Sequence, residues 1–129
     1  MSGPTTVAPV SVRAIRGAVQ VEADEREQVL DATRELVSEV IRVNGLSLDD
    51  FISVVFTSTA DLVSEFPAVA ARELGMGDVP LMCARELEIA GSMPRVVRLM
   101  AHVETSRTRA EVRHVYLRGA QALRRDIAQ

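Results

Sequence analysis

From Asp24 to Asn44 the positions Val29, Leu30, Thr33, Leu36, Val37, Val40 and Ile41 recur at steps of three and four residues. That period gives a helix one core-facing stripe. Asp24, with Glu27 three residues on, has the form of a capping box, and Asn44-Gly45 supplies a stop. The opposite face, with Arg26, Glu27, Asp31, Arg34, Glu35, Glu39 and Arg42, is a solvated surface without functional signal. This is the clearest element in the chain. Most of the remainder reads as strand, so one helical stripe must cover whatever sheet the strands form.

The strand segments are Val12–Val21, Phe51–Thr59, Val79–Cys83, Arg95–Glu104 and His114–Leu117, each rich in Val, Ile, Phe or Tyr. Gly17, inside the first, marks a bulge or a close backbone approach. Arg13 and Arg16 fall on opposite faces of that strand if it is regular. Pro67 starts a short helix over Ala68–Leu74, which Gly75 stops. Arg109-Ala110-Glu111 suggests a helical turn, and Gly119–Arg125 a terminal helical or irregular segment. Residues 1–11 read as a flexible tail and residues 12–129 as a single domain. The fold class is α+β, a mixed five-stranded sheet with one long helix and short helices. One long helix cannot cover both faces of such a sheet. The uncovered face must meet another subunit, so an oligomer is expected.

Composition removes several kinds of chemistry. All 15 basic residues are arginine. Without lysine there is no Schiff base, no pyridoxal phosphate anchor and no P-loop lysine. A single cysteine excludes an internal disulfide framework and a cysteine-based zinc site. The net charge of −3, with no long basic run, argues against nucleic-acid binding. No apolar run approaches a membrane span, and Met1–Ser11 lacks a secretory pattern, so a cytoplasmic protein is expected.

Charged residues inside apolar runs are the candidates for chemistry. Arg98 stands in the middle of Val96-Val97-Arg98-Leu99-Met100-Ala101. A charge so placed is paired, exposed on the far face of a strand, or waiting for an anion. Arg16, Arg72, Arg113 and Arg124 also sit among apolar residues. Any one of them alone is best read as an ion pair or a far-face residue. Several converging would bind a di-anion, because guanidinium offers a rigid fork to carboxylates. Cys83 and Glu86 close the Val79 run; taken alone, they read as a buried small residue and a solvated acid. His102 and His114 lie far apart, without acidic partners at metal-ligand spacing. Tyr116 is the only tyrosine and reads as a core residue with its hydroxyl at the rim.

Taken in order, Ile15-Arg16-Gly17-Ala18, Phe66-Pro67-Ala68 with Arg72-Glu73-Leu74, Val79-Pro80 with Cys83 and Glu86, Arg98, and Arg113-His114-Val115-Tyr116-Leu117 resemble the AroH-type monofunctional chorismate mutases. The resemblance runs from about Val12 to about Asp126. It implies a homotrimer whose subunits form a pseudo-α/β barrel, with three active sites at the subunit interfaces. It implies conversion of chorismate to prephenate in phenylalanine and tyrosine biosynthesis. By position, Arg98 would face the ether oxygen of the breaking bond and a substrate carboxylate. Arg16 and Tyr116 would hold the enolpyruvyl carboxylate, and Glu86 and Cys83 would contact the ring hydroxyl. Phe66, Ala68 and Arg72 would line the pocket, with Leu123 and Arg124 on a mobile segment near its mouth. Two positions depart from the family pattern: Val69 stands where a lysine is common, and Met82, also a pocket position, where a small hydroxyl residue is expected.

The implied chemistry suits the residues present. A concerted [3,3] rearrangement needs no nucleophile, general base, metal or cofactor. It needs the substrate held in its reactive conformer and a cation where the ether oxygen gains charge. The departures at Val69 and Met82 motivate a competing expectation: a trimeric module that binds a small anion without turning it over.

Overall fold

A computed structural model describes the backbone of residues 9–126 and the side chains of residues 9–123. The elements are β1 (Ser11–Gln20), α1 (Arg26–Asn44), β2 (Phe51–Ser58), α2 (Ala68–Glu73), β3 (Leu81–Arg85), β4 (Val96–Thr105), β5 (Val115–Leu117) and α3 (Gln121–Asp126). Short 3-10 turns at Leu48–Asp50 and Arg118–Ala120 precede β2 and α3. The five strands form one sheet in the order β3-β2-β4-β1-β5. β4 runs antiparallel to β1 and β2, while the outer pairs β1/β5 and β2/β3 are parallel. The sheet is therefore mixed, as the sequence reading expects. Most of the tail assigned to residues 1–11 lies outside the described residues, and β1 already begins at Ser11.

α1 lies across one face. Val29, Leu36, Val37 and Val40 pack in one core with Ile15, Val19, Val54, Phe56, Val97, Leu99, Ala101 and Val103. Gly17 is the point of closest contact. A Cβ there would stand 3.1 Å from Leu36 Cδ1 and 3.3 Å from Leu99 Cγ. The β1/β4 pairing runs unbroken through it, so Gly17 marks the close approach and not a bulge. Gly45 ends the helix at φ 59°, and the N–H groups of Gly45 and Leu46 return to the carbonyls of Arg42 and Ile41.

The capping box is not formed. α1 starts at Arg26, and Glu25 at the N-cap makes no side-chain cap. Asp24 is drawn away by two loop amides that lie outside any strand. Its Oδ1 accepts the N–H groups of Val63 and Ser64, each at 3.1 Å, and ties the α2 approach to the start of α1. β3 begins two residues later than expected, because Pro80 has no N–H to give; the Pro80 carbonyl instead accepts Val54 N–H at 3.0 Å. β4 begins at Val96, since Arg95 is left-handed (φ 53°) and its N–H is held by the Asp61 carboxylate. Arg109–Glu111 forms only a hydrogen-bonded turn, closed by Glu111 N–H on the Thr108 carbonyl.

The other face of the sheet is largely open. Val12, Met82 and Met100 stand on it at 58%, 62% and 37% exposure. At its β1 end a small cluster forms around Ala18, Val96 and Ala120, with Met93, Tyr116 and Leu123 packed against it.

Candidate active site

Strand register lays the open face out in two rows. Across β3, β2, β4, β1 and β5 the first row reads Ala84, Thr57, Arg98, Ala18, Tyr116. The second reads Met82, Val55, Met100, Arg16. Period-two alternation turns their neighbours, Phe56, Val97, Leu99, Ile15 and Val19, into the α1 core. Small Ala18 between Arg98 and Tyr116 leaves a trough. The trough is a cavity of about 210 Å³ lined by Arg16, Gly17, Val55, Thr57, Arg98, Leu99, Met100 and Tyr116; another of about 480 Å³ lies further along the same face, bordered by Val12, Ala14, Arg16, Met100 and His102, and one of about 370 Å³ lies at the ends of β2 and β3.

Glu86 orders the charge in this row. Its two oxygens accept Arg98 Nε at 3.2 and 3.1 Å, and Oε2 also accepts the Thr57 hydroxyl at 2.6 Å. Glu86 is well buried, its side chain 16% exposed against 43% for Arg98. Arg98 is therefore gripped at its inner nitrogen. Among the described residues its two Nη groups make no hydrogen bond, and they are the groups left to meet an anion. Glu86 keeps lone pairs for a further donor. Thr57 was not singled out by sequence reading. A threonine in a β-branched run looks like ordinary strand, and only the register places it beside Arg98.

Arg16, Arg98, Glu86 and Tyr116 thus share one face. Cys83 does not join them. It pairs with Phe56 and packs against the α1 core, on the other side of the sheet from Glu86. Three residues of extended chain separate the two, and an odd spacing turns the side chains to opposite faces. Cys83 instead borders the 370 Å³ cavity at the ends of β2 and β3, with Ser58, Leu62, Phe66, Pro67 and Arg85. Phe66 is 66% exposed at its rim, whereas Ala68 is 2% exposed and its methyl belongs to the core. Arg72 is exposed on α2, and Val69 is half-buried. Met82 lies on the open face, not in this cavity. Leu123 packs beside Tyr116 and Ala18, at the end of the trough. Arg124 is in α3, and its side chain lies outside the described residues.

Glu65, on the wall of the cavity that Cys83 borders, accepts Phe66 N–H at 2.9 Å and Arg26 Nε at 2.8 Å. Those bonds hold its carboxyl below the usual carboxylate range. Among the described residues there is no group of three or more His, Cys, Asp or Glu that could hold a metal, and no helix long and apolar enough to cross a membrane.

Comparison with known proteins decides the family. A profile described as chorismate mutase type I matches residues 12–127. The chain belongs to that family. It is 50% identical over 117 residues to chorismate mutase AroH of Thermus thermophilus, covering 90% of this chain and 96% of that one. It is 36% identical over 118 residues to chorismate mutase AroH of Bacillus subtilis, covering 91% and 93%. A solved chorismate mutase from Clostridium thermocellum superposes with a TM-score of 0.84 at 41% identity, covering 85% of this chain and 98% of that chain. The chorismate mutase reaction is an intramolecular isomerisation of chorismate to prephenate, and this enzyme is of that class. The competing expectation, a binding module without turnover, finds no support in these relatives.

Proposed function

We propose that the rearrangement takes place in the trough of the open face, with Arg98 as the cation at the ether oxygen. The observation that carries this is the grip of Glu86, itself held by the Thr57 hydroxyl, on Arg98 Nε, which leaves both Nη groups for an incoming anion. Tyr116, across Ala18 from Arg98, and Arg16, in the adjoining row beside Met100, hold the enolpyruvyl carboxylate. Glu86 orients Arg98 and accepts the ring hydroxyl. It abstracts no proton. Cys83 acts in this scheme only through its backbone, since its thiol faces the core.

Catalysis has two parts. Convergent guanidinium groups hold the dicarboxylate in the conformer that can react, which removes orientational freedom before the barrier. The Arg98 charge, fixed in place beforehand, meets the negative charge that grows on the ether oxygen as the C–O bond breaks. No bond to the protein forms at any stage.

A single chain holds half of this arrangement. Phe66, Val69 and Arg72 stand at α2 and Met82 at the β3 edge, apart from the trough. The exposed apolar residues of the open face call for a cover. A homotrimer closed into a pseudo-α/β barrel supplies both, by bringing the α2 side of one copy against the trough of the next. Arg72 of the adjoining copy then serves the ring carboxylate that Val69 cannot, and Leu123 with Arg124 borders the mouth.

The test is chorismate turnover by purified Arg98→Ala and Arg98→Lys. Alanine lowers kcat by about 10²–10³-fold or more. Lysine also fails, because it has no fork and no Nε–H for Glu86. Near-native turnover by Arg98→Ala overturns the role of that residue.

A further inference from the structure

The N–H of Arg16 is bound in an unusual way. β1 and β5 pair from Gly17 with Val115 to Val19 with Leu117, and β5 goes no further. One residue before the first pair, Arg16 N–H donates not to a carbonyl but to the imidazole Nδ1 of His114, at 2.9 Å. The ring therefore extends the ladder by one rung. Its own backbone is fixed on both sides. Arg113 exchanges two hydrogen bonds with the buried Asn44 side chain: its N–H donates to Oδ1 at 2.8 Å and its carbonyl accepts from Nδ2 at 2.9 Å. Val115 opens β5 on the far side. Asn44 is in turn anchored to the last turn of α1 through the Val40 carbonyl.

We propose that His114 is a positioning residue for Arg16, and that it holds Arg16 in place only while its Nδ1 is unprotonated. The inference rests on the placement of Arg16 in the substrate trough. An imidazolium has donors on both nitrogens, so protonation turns the Arg16 N–H···Nδ1 bond into two opposed N–H groups. The strand must then shift at the residue whose guanidinium meets the substrate. The groups that share cavity walls with His114 are Arg13, Arg16 and His102 from β1 and β4, Glu39 from α1, Tyr116 from β5, and Arg107, Arg109, Glu111 and Arg113 from the β4–β5 connection.

His114→Phe keeps a ring of similar size and removes the acceptor. His114→Asn keeps an acceptor at the place of Nδ1 and does not titrate. The readouts are the pH profile of kcat/KM for chorismate and the pH dependence of the Arg16 amide resonance. Native enzyme is expected to lose kcat/KM on the acid side as His114 charges, with the Arg16 amide moving over the same range. His114→Phe should lose about ten- to a hundredfold in kcat/KM at neutral pH, the size of effect that a misplaced contact group causes. His114→Asn should recover most of that loss and flatten the acid limb. His114→Phe with native kcat/KM, or His114→Asn with the native acid limb, overturns the inference. If His114→Phe does not fold, the His114→Asn profile alone decides. Arg16→Ala separates the two levels: native activity there refutes the placement of Arg16, whereas collapse there beside a native-like His114→Phe refutes the positioning role alone.

Discussion

Thr57→Val removes one hydroxyl and tests how Arg98 is held. Valine keeps the branched shape that suits β2. The lost bond runs from Thr57 Oγ1 to a carboxylate oxygen at 2.6 Å, and Glu86 is only 16% exposed, so water replaces the donor poorly. A hydrogen bond to a charged group contributes about 1.5–3 kcal/mol. Were all of it transmitted to the transition state, kcat/KM would fall roughly 10- to 150-fold, at about 1.4 kcal/mol per factor of ten. Arg98 Nε still grips both oxygens of Glu86, so the lower end is expected, about tenfold, carried mainly by kcat. The assay is the initial rate of chorismate loss across a substrate series, with thermal unfolding measured on the same samples. Thr57→Ser, which restores the hydroxyl, should return most of the rate. A Thr57→Val enzyme within about twofold of native in kcat/KM refutes the claim that this bond positions the cation. A lowered melting temperature with unchanged kcat would reduce Thr57 to a fold residue.

Four further outcomes follow from the packing and the charges. Gly17→Ala places a methyl 3.1 Å from Leu36 and 3.3 Å from Leu99 and should cost about 1–3 kcal/mol in denaturant unfolding; Leu36→Ala beside it, fully buried, should cost about 2–5 kcal/mol. Asp24→Ala frees the amides of Val63 and Ser64 and leaves the helix start uncapped as before, so hydrogen exchange should rise in residues 61–66 and not in the first turn of α1. The folded-state pKa of Glu65 is depressed by its bonds to Phe66 and Arg26, so its stabilising effect is present above the unfolded carboxylate pKa and fades as pH falls through the lower folded value. Glu65→Gln should flatten that part of the acid unfolding curve, and an unchanged curve would contradict the assignment.

The long helix was legible because its stripe has a period no strand can mimic, and Gly45 closes it by a conformation glycine prefers. Arg98 was legible because a cation in the middle of an apolar strand demands a reason. Asp24 misled, since a capping pattern in sequence carries no information about competing donors thirty-nine residues away. Cys83 and Glu86 show a different limit. Their side chains part because the strand alternates, yet β3 had to be recognised as running on to Arg85 before the parity argument applied. The grouping of Thr57, Arg98, Ala18 and Tyr116 depends on the register of four strands from distant parts of the chain, which no local pattern encodes. The order of family motifs links Arg98, Ala18 and Tyr116, but Thr57 belongs to none of them.

In the proposed homotrimer, half of each active site lies on one copy of the chain and half on the next. Arg98→Ala disables the trough half and Arg72→Ala the α2 half. Each variant alone should be nearly inactive towards chorismate. Unfolded together and refolded as mixed trimers, they should regain activity, because some interfaces then join an intact trough to an intact α2. Random assembly restores about a quarter of the native sites. Activity rising to about that level on mixing is the predicted result. A mixture no more active than the two variants apart, with subunit exchange verified by mass, contradicts the shared site.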